Sequence, residues 1–186
     1  SPGNIRRKTV DELKALKNAG LGIIYIGLES GSDTILRAVK KGSLSKDMIA
    51  AAKKVREAGI PLSVIWILGL GGKERSEEHA TETARVLNAM DPEYAGALTL
   101  MVVEPAPICK EVEEGSLTLL DPKESLEELR RVVEKLELSN CVFRVNHASN
   151  YASIRGTLPQ DKQKILAQID DALGQTDYKP EWMRGL

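Results

Sequence analysis

The stretch "GIIYIGLESGSD", residues 22–33, sets a carboxylate, Glu29, and a hydroxyl, Ser30, directly behind an apolar run. Desolvating an unpaired carboxylate costs several kcal/mol, so Glu29 must meet solvent, a basic group or a ligand. A carboxylate beside a hydroxyl suits a diol such as the two hydroxyls of a ribose. The plainer alternative has Ser30 or Ser32 capping the next helix and Glu29 paired with a nearby lysine. Further on, "LGLGGKE" places Gly69, Leu70, Gly71 and Gly72 after a second apolar run. Glycines there let a ligand approach the backbone, and exposed amides and carbonyls suit the edge of a flat heterocycle; a tight strand-to-helix turn needs the same residues. The run has neither the G-x-G-x-x-G of a dinucleotide site nor the Lys-Ser/Thr of a P-loop.

Two further stretches carry polar groups. In "VEPAPICKEV" the carboxylate of Glu104 follows a third apolar run. In "FRVNHASNYASIRG" Arg144, Asn146, His147, Asn150, Tyr151 and Arg155 crowd a segment with little helix or strand pattern, a density that favours ligand contact on a loop. His147 is either a general acid or base or a hydrogen-bonded structural residue. His79, within a charged helix, is expected to be solvated or capping. Cys109 and Cys141 are too far apart for a metal knuckle and too few for a disulfide framework, so no metal site is expected from this chain alone.

The elements that position these residues alternate. Thr9 with Glu12 forms a capping box, and Gly20 ends that helix. An apolar strand, "GIIYIGLE", reads as covered on both faces. A short helix spans Thr34 to Lys41, and Ser45 caps a helix bearing Met48, Ile49, Ala52 and Val55. A second strand runs from Leu62 to about Leu70, followed by a helix from Ser76 to Met90 with Ala80, Ala84, Leu87 and Met90 inward. "GALTLMVV" is a third strand, and the irregular stretch 104–120 precedes a helix started by Asp121, Pro122 and Glu124. "CVFRV" is a fourth strand, and Pro159 to Leu173 a last helix. Strand starts near Ile23, Leu62, Leu98 and Val142 recur every 36 to 44 residues, about the length of a βα unit. Parallel strands with right-handed crossovers follow, either an open doubly wound sheet or part of a βα barrel. In both, function gathers at the C-terminal strand ends.

Composition narrows the class. The 186 residues suit one domain, divided here as 1–174 with a tail at 175–186 that wraps the surface or stays loose. Lys plus Arg (26) balances Asp plus Glu (27), so no DNA footprint or membrane-surface patch is expected. No apolar run reaches the roughly 20 residues of a membrane span, and a cytoplasmic location is expected. Ser1 in place of Met suggests an excised piece or a residue added at its start.

Taken in order, "IYIGLESGSDTILRAVKKG" and "KKVREAGIPLSVIWILGLGGKERSEEH" resemble the second half of the catalytic domain of radical S-adenosylmethionine enzymes, in a branch that also carries "FR-NHASNY" and "LP-DK" segments. The resemblance runs from about Arg6 to Leu173. It implies an α/β fold of parallel βα repeats, the C-terminal portion of a partial (β/α)6 TIM-like barrel. It also implies a [4Fe-4S] cluster that reduces S-adenosylmethionine to a 5′-deoxyadenosyl radical in an oxidoreductase. Glu29 and Ser30 match the motif that holds the ribose and methionine part; Gly69, Leu70, Gly71 and Gly72 match the turn beside the adenine. Residues 102–107 match the last barrel strand's exit, where "EPAP" departs from the family's Pro-Gly-Thr-Pro pattern. The substrate side is assigned to Glu104, Arg144, Asn146, His147, Asn150 and Tyr151.

The family's C-x3-C-x2-C loop is missing, as is the glycine-rich motif after its second strand. The chain therefore reads as a truncated fragment, inactive by itself and without its own cluster, whose parent carries both cofactors and acts on an unknown substrate. Strand 23–28 would then be an exposed edge able to form a dimer. Two other readings remain open: a non-catalytic βα module that binds a nucleoside or a partner, and a small enzyme using Glu29, Glu104 and His147 as acid and base groups.

Overall fold

A computed structural model describes residues 2–185. Helices α1 (Pro2–Arg6) and α2 (Val10–Asn18) precede β1 (Ile24–Glu29), α3 (Asp33–Ala38) and α4 (Ser45–Glu57). Then come β2 (Leu62–Leu68), a 3-10 turn (Lys73–Arg75), α5 (Ser76–Met90), β3 (Tyr94–Thr99), α6 (Ile108–Glu113) and α7 (Pro122–Lys135). The chain continues through β4 (Cys141–Val145), β5 (Ile154–Leu158), α8 (Lys162–Leu173) and a second 3-10 turn (Glu181–Met183).

The five strands lie in the order β1-β2-β3-β4-β5, the first four parallel and β5 antiparallel to β4. The order never reverses, so right-handed crossovers carry the intervening helices to one side of the sheet. This is the winding of a barrel segment and not of a doubly wound sheet, as the resemblance implied. Ile26, Leu28, Val64, Trp66, Leu68 and Phe143 point to the helix side and are buried. Trp66 and Phe143 meet there with ring centroids 6.0 Å apart. Burying each such side chain contributes about 2 kcal/mol.

The other face differs from expectation. Tyr25 is 63% exposed, and Ile65, Ile67, Leu98 and Val142 are only half-buried. The apolar character of both faces is real, but only one is covered within residues 2–185.

Local signals hold at the helix starts. Thr9 with Glu12 and Asp121 with Glu124 form reciprocal capping boxes. Helix α4 is capped differently: Leu44 is the N-cap, and its amide donates to the Asp47 carboxylate at 3.0 Å. The Ser45 amide donates instead to Asp33 at 2.8 Å. The third strand begins and ends earlier than "GALTLMVV", because Asp91 at φ 43° closes α5 and turns the chain into pairing at Tyr94. Residues 154–158, expected to be loop, form β5, in which Ile154 and Leu158 are buried and Arg155 faces out. Alternation over five residues is too short to stand out from the polar loop before it. Among the described residues no helix is long and apolar enough to cross a membrane.

Candidate functional site

The C-terminal ends of β1 to β4 share one end of the sheet, and the polar residues singled out from the sequence gather there. Glu29 closes β1 with φ 60°, in the left-handed region that a residue with a Cβ rarely enters, at an irregularity in the β1–β2 register. This turn folds its carboxylate back over Gly27, where a Cβ would stand 2.4 Å from Glu29 Oε1. Lys41 Nζ donates to the same oxygen at 2.5 Å. Both side chains are about a quarter exposed. The geometry leaves a carboxylate at the lip of the open face.

Ser30 points the other way. It is fully buried, its hydroxyl accepts the Ser32 amide at 3.0 Å, and it lies 2.8 Å from His79 Nδ1. Gly31 sits flush against α5, where a Cβ would fall 2.1 Å from the Glu82 carbonyl oxygen; its amide donates to Thr83 Oγ1 at 3.0 Å. Ser32 caps α3 and donates to Glu78 at 2.5 Å.

His79 is neither solvated nor a cap, in contrast to the sequence reading. It is fully buried on the core stripe of α5 beside Ala80 and Thr83. Its Nε2 lies 3.6 Å from Glu128 Oε1, too far for a hydrogen bond, and makes none elsewhere. Glu128, also fully buried, accepts the Gly69 amide at 2.8 Å and the Ser76 hydroxyl at 2.6 Å. Burial depresses the His79 pKa to about 4 and pushes Glu128 up to about 7. The imidazole is thus neutral at neutral pH, and no ion pair forms. Ser30, His79, Glu128 and Gly69 make a continuous buried series from the end of β1 to the end of β2. Sequence reasoning missed Glu128, although its place between Ser125 and Val132 on the apolar stripe of α7 marks it as a charge facing inward.

The glycine turn after β2 is shaped by this series. Gly69 at φ 79° and Gly72 at φ 62° need the absence of a Cβ. At Gly71 a Cβ would meet Ile35 at 2.8 Å, and at Gly72 Leu117 at 2.7 Å, so the chain itself fills those approaches. At Gly69 a Cβ would rest in ordinary contact with Leu120 and Leu100 at 3.7–3.8 Å. Leu70 is buried.

The remaining candidates divide. Glu104 is exposed in the turn before α6 and enters no ion pair among the described residues. Asn150 is buried and tied to β3, its amide donating to the Ala97 carbonyl and its oxygen accepting from Thr99, both at 2.9 Å. Tyr151 donates to Glu181 at 2.6 Å and accepts from Arg184 at 2.6 Å; burial and the Glu181 bond raise its pKa to about 12. Arg144, Asn146 and His147 line a cavity of about 270 Å³ on the open face with Ile65, Tyr94 and Leu98. His147 Nδ1 lies 3.0 Å from the Ser149 hydroxyl.

The tail wraps and is not loose. Arg184 is buried, donates to the carbonyls of Ser149 at 2.7 Å and Leu100 at 3.0 Å, and stacks 4.2 Å over the Tyr151 ring. With Glu181 and Tyr151 it walls a second cavity, of about 310 Å³, between Gly69, Leu100 and the start of α7. Trp182 beside it is 82% exposed.

Among the described residues no three His, Cys, Asp or Glu side chains gather as a metal centre. Cys109 is half-buried in α6 past the end of β3, whereas Cys141 begins β4 at the other end of the sheet with its thiol pushed by burial to about 12. These two thiols do not fit a cluster that needs three closely spaced thiolates.

Residues 2–87 match the family described as the radical SAM superfamily. Over 123 residues the chain is 29% identical to a Methanocaldococcus jannaschii protein provisionally described as a methylthiotransferase, spanning 65% of this chain and 26% of that protein. It is 25% identical to the heme chaperone HemW of Bacillus subtilis over 131 residues, 69% of this chain and 34% of HemW. Among solved structures, Elp3 of Methanocaldococcus infernus superposes with a TM-score of 0.58 at 17% identity, over 70% of this chain and 32% of that one. The chain thus spans between a quarter and about a third of the length of these relatives.

Proposed function

From the match of residues 2–87 to the radical SAM superfamily, we propose that this chain is the C-terminal part of the barrel of a radical SAM oxidoreductase, with β1 to β3 holding S-adenosylmethionine at their C-terminal ends. The observation that carries the proposal is the backbone of Glu29. Holding a non-glycine residue at φ 60° is unfavourable by about 1 kcal/mol or more. Here the strain directs a carboxylate onto the open face at a strand end, where folds of this winding bind ligands.

In this reading Glu29 accepts the ribose hydroxyls, and Lys41 orients it. Ser30 positions the turn from beneath through His79, while Gly69, which lines the cavity of about 310 Å³, lies beside the adenine. S-adenosylmethionine supplies the adenosyl group from which the family's chemistry starts, and an iron–sulfur cluster supplies the electron. The residues of this chain do not fit the cluster, so its thiolates come from a segment outside these 186 residues and the chain alone is inactive. What the chain itself does is bind, orient and exclude water.

Calorimetric titration with S-adenosylmethionine tests the assignment. Glu29→Gln is expected to weaken binding about tenfold, the loss of one charge-assisted hydrogen bond, with little change in stability. Unchanged affinity in that variant removes Glu29 from the site. Anaerobic reconstitution with iron and sulfide is expected to give no stoichiometric cluster, and one cluster per chain would overturn the assignment of its ligands.

A further inference from the structure

We propose that Arg144 and Arg155 form a receptor for a phosphomonoester whose organic part is flat and apolar, on the open face of the sheet. The antiparallel register sets the two arginines directly opposite each other, so both side chains leave the same face, which the Arg144 lining identifies as the open one. Like charges directly opposite across a strand pair oppose folding, and an anion held between them would relieve that repulsion. Eight of the other nine arginines pair with a carboxylate among the described residues. Neither of these two does so among the described residues. Arg144 Nη1 donates only to the carbonyls of Phe143 at 2.8 Å and Gly156 at 3.3 Å, which leaves most of its five donors free. The Arg155 guanidinium makes no hydrogen bond among the described residues; only its backbone amide and carbonyl are engaged, by the Gln168 side chain.

The surroundings specify the rest of the ligand. In the register Ile65 pairs with Gly96 and Gly96 with Arg144, so the row next to the guanidinium lacks a side chain. The gap is flanked by Ile65, Leu98, Val142 and Tyr94, in a cavity of about 270 Å³. Two planar forks match the oxygens of a phosphate dianion, whereas a carboxylate monoanion is satisfied by one. The gap beside them accepts a flat apolar body. Identifying such a ligand with the substrate rests on reading this face as the reaction chamber.

Phenyl phosphate is the probe, titrated into the full chain and followed by amide shifts of Gly96, Val142, Arg144 and Arg155. Binding is expected to be tighter than for inorganic phosphate or phenol, and to weaken about tenfold in Arg144→Gln and in Arg155→Gln. Both side chains are exposed, so these variants fold. Affinity equal to that of phenol or of inorganic phosphate, or unchanged in both variants, overturns the proposal. S-adenosylmethionine is titrated separately: phenyl phosphate binding without it leaves the arginine receptor standing and refutes the cofactor assignment, and the converse refutes the receptor alone.

Discussion

Replacing Glu128 with Gln should expose a pH dependence that the buried His79 and Glu128 now cancel between them. In the folded chain Glu128 titrates near 7 against an ordinary 4.5, and His79 near 4 against 6.5. Between pH 4.5 and 6.5 the unfolded chain therefore carries one proton on His79, while the folded chain carries one on Glu128. Folding moves the proton from imidazole to carboxyl without changing the number bound, so the pair adds no slope. The raised carboxyl pKa contributes stability that is full below 4.5 and lost as pH rises through 7. The depressed imidazole pKa contributes stability that is full above 6.5 and lost as pH falls through 4. Across the shared window the two slopes cancel.

Glu128→Gln keeps an acceptor for the Gly69 amide and removes only the first of these slopes. The variant should then lose about 1.4 kcal/mol per pH unit below 6.5, about 3 kcal/mol in all by pH 4.5. Guanidinium unfolding of both proteins at pH 4.5, 5.5 and 6.5 measures this as a difference in which every other titrating group cancels. Parallel stability curves across that window would refute the one-proton description of the buried series.

Three further outcomes are expected. Gly31→Ala forces a methyl to 2.1 Å from the Glu82 carbonyl oxygen and should destabilise by about 3 kcal/mol or prevent folding; a loss under about 1 kcal/mol would mean that the turn shifts freely. Arg184→Ala strips the donors from the Ser149 and Leu100 carbonyls, so limited proteolysis should release the segment after Leu173 at a protease concentration that leaves the wild type intact. The outer edge of β1, proposed as a dimer contact, should show amide exchange that slows as protein concentration rises. Concentration-independent exchange on β1 would leave that edge without a second copy.

The parts of the fold legible in the sequence are those where local chemistry and tertiary packing agree. Thr9, Asp121 and the stripe Ala80, Ala84, Leu87, Met90 each satisfy a local rule that the core also needs. The missed features depend on partners distant in the chain. His79 looked solvated because its neighbours Glu77 and Glu78 are charged, and only the approach of Ser30, 49 residues away, shows it to be internal. Gly71 and Gly72 looked like room for a ligand, yet Ile35 and Leu117 fill that room from elsewhere. Ser30 illustrates a subtler gap: its position at the strand end was legible, and alternation continues its side chain inward after Ile26 and Leu28, but its partner there, His79, lies 49 residues away.

The chain's two tryptophans stand at opposite extremes, Trp66 within the core and Trp182 at 82% exposure on the strap. Intrinsic fluorescence therefore contains two separable signals. Iodide quenches the red-shifted emission of Trp182 and reports on the strap, while the blue emission of Trp66 responds only when the sheet and its helices come apart. A ligand that moves the strap is thus distinguishable, without any label, from one that loosens the core.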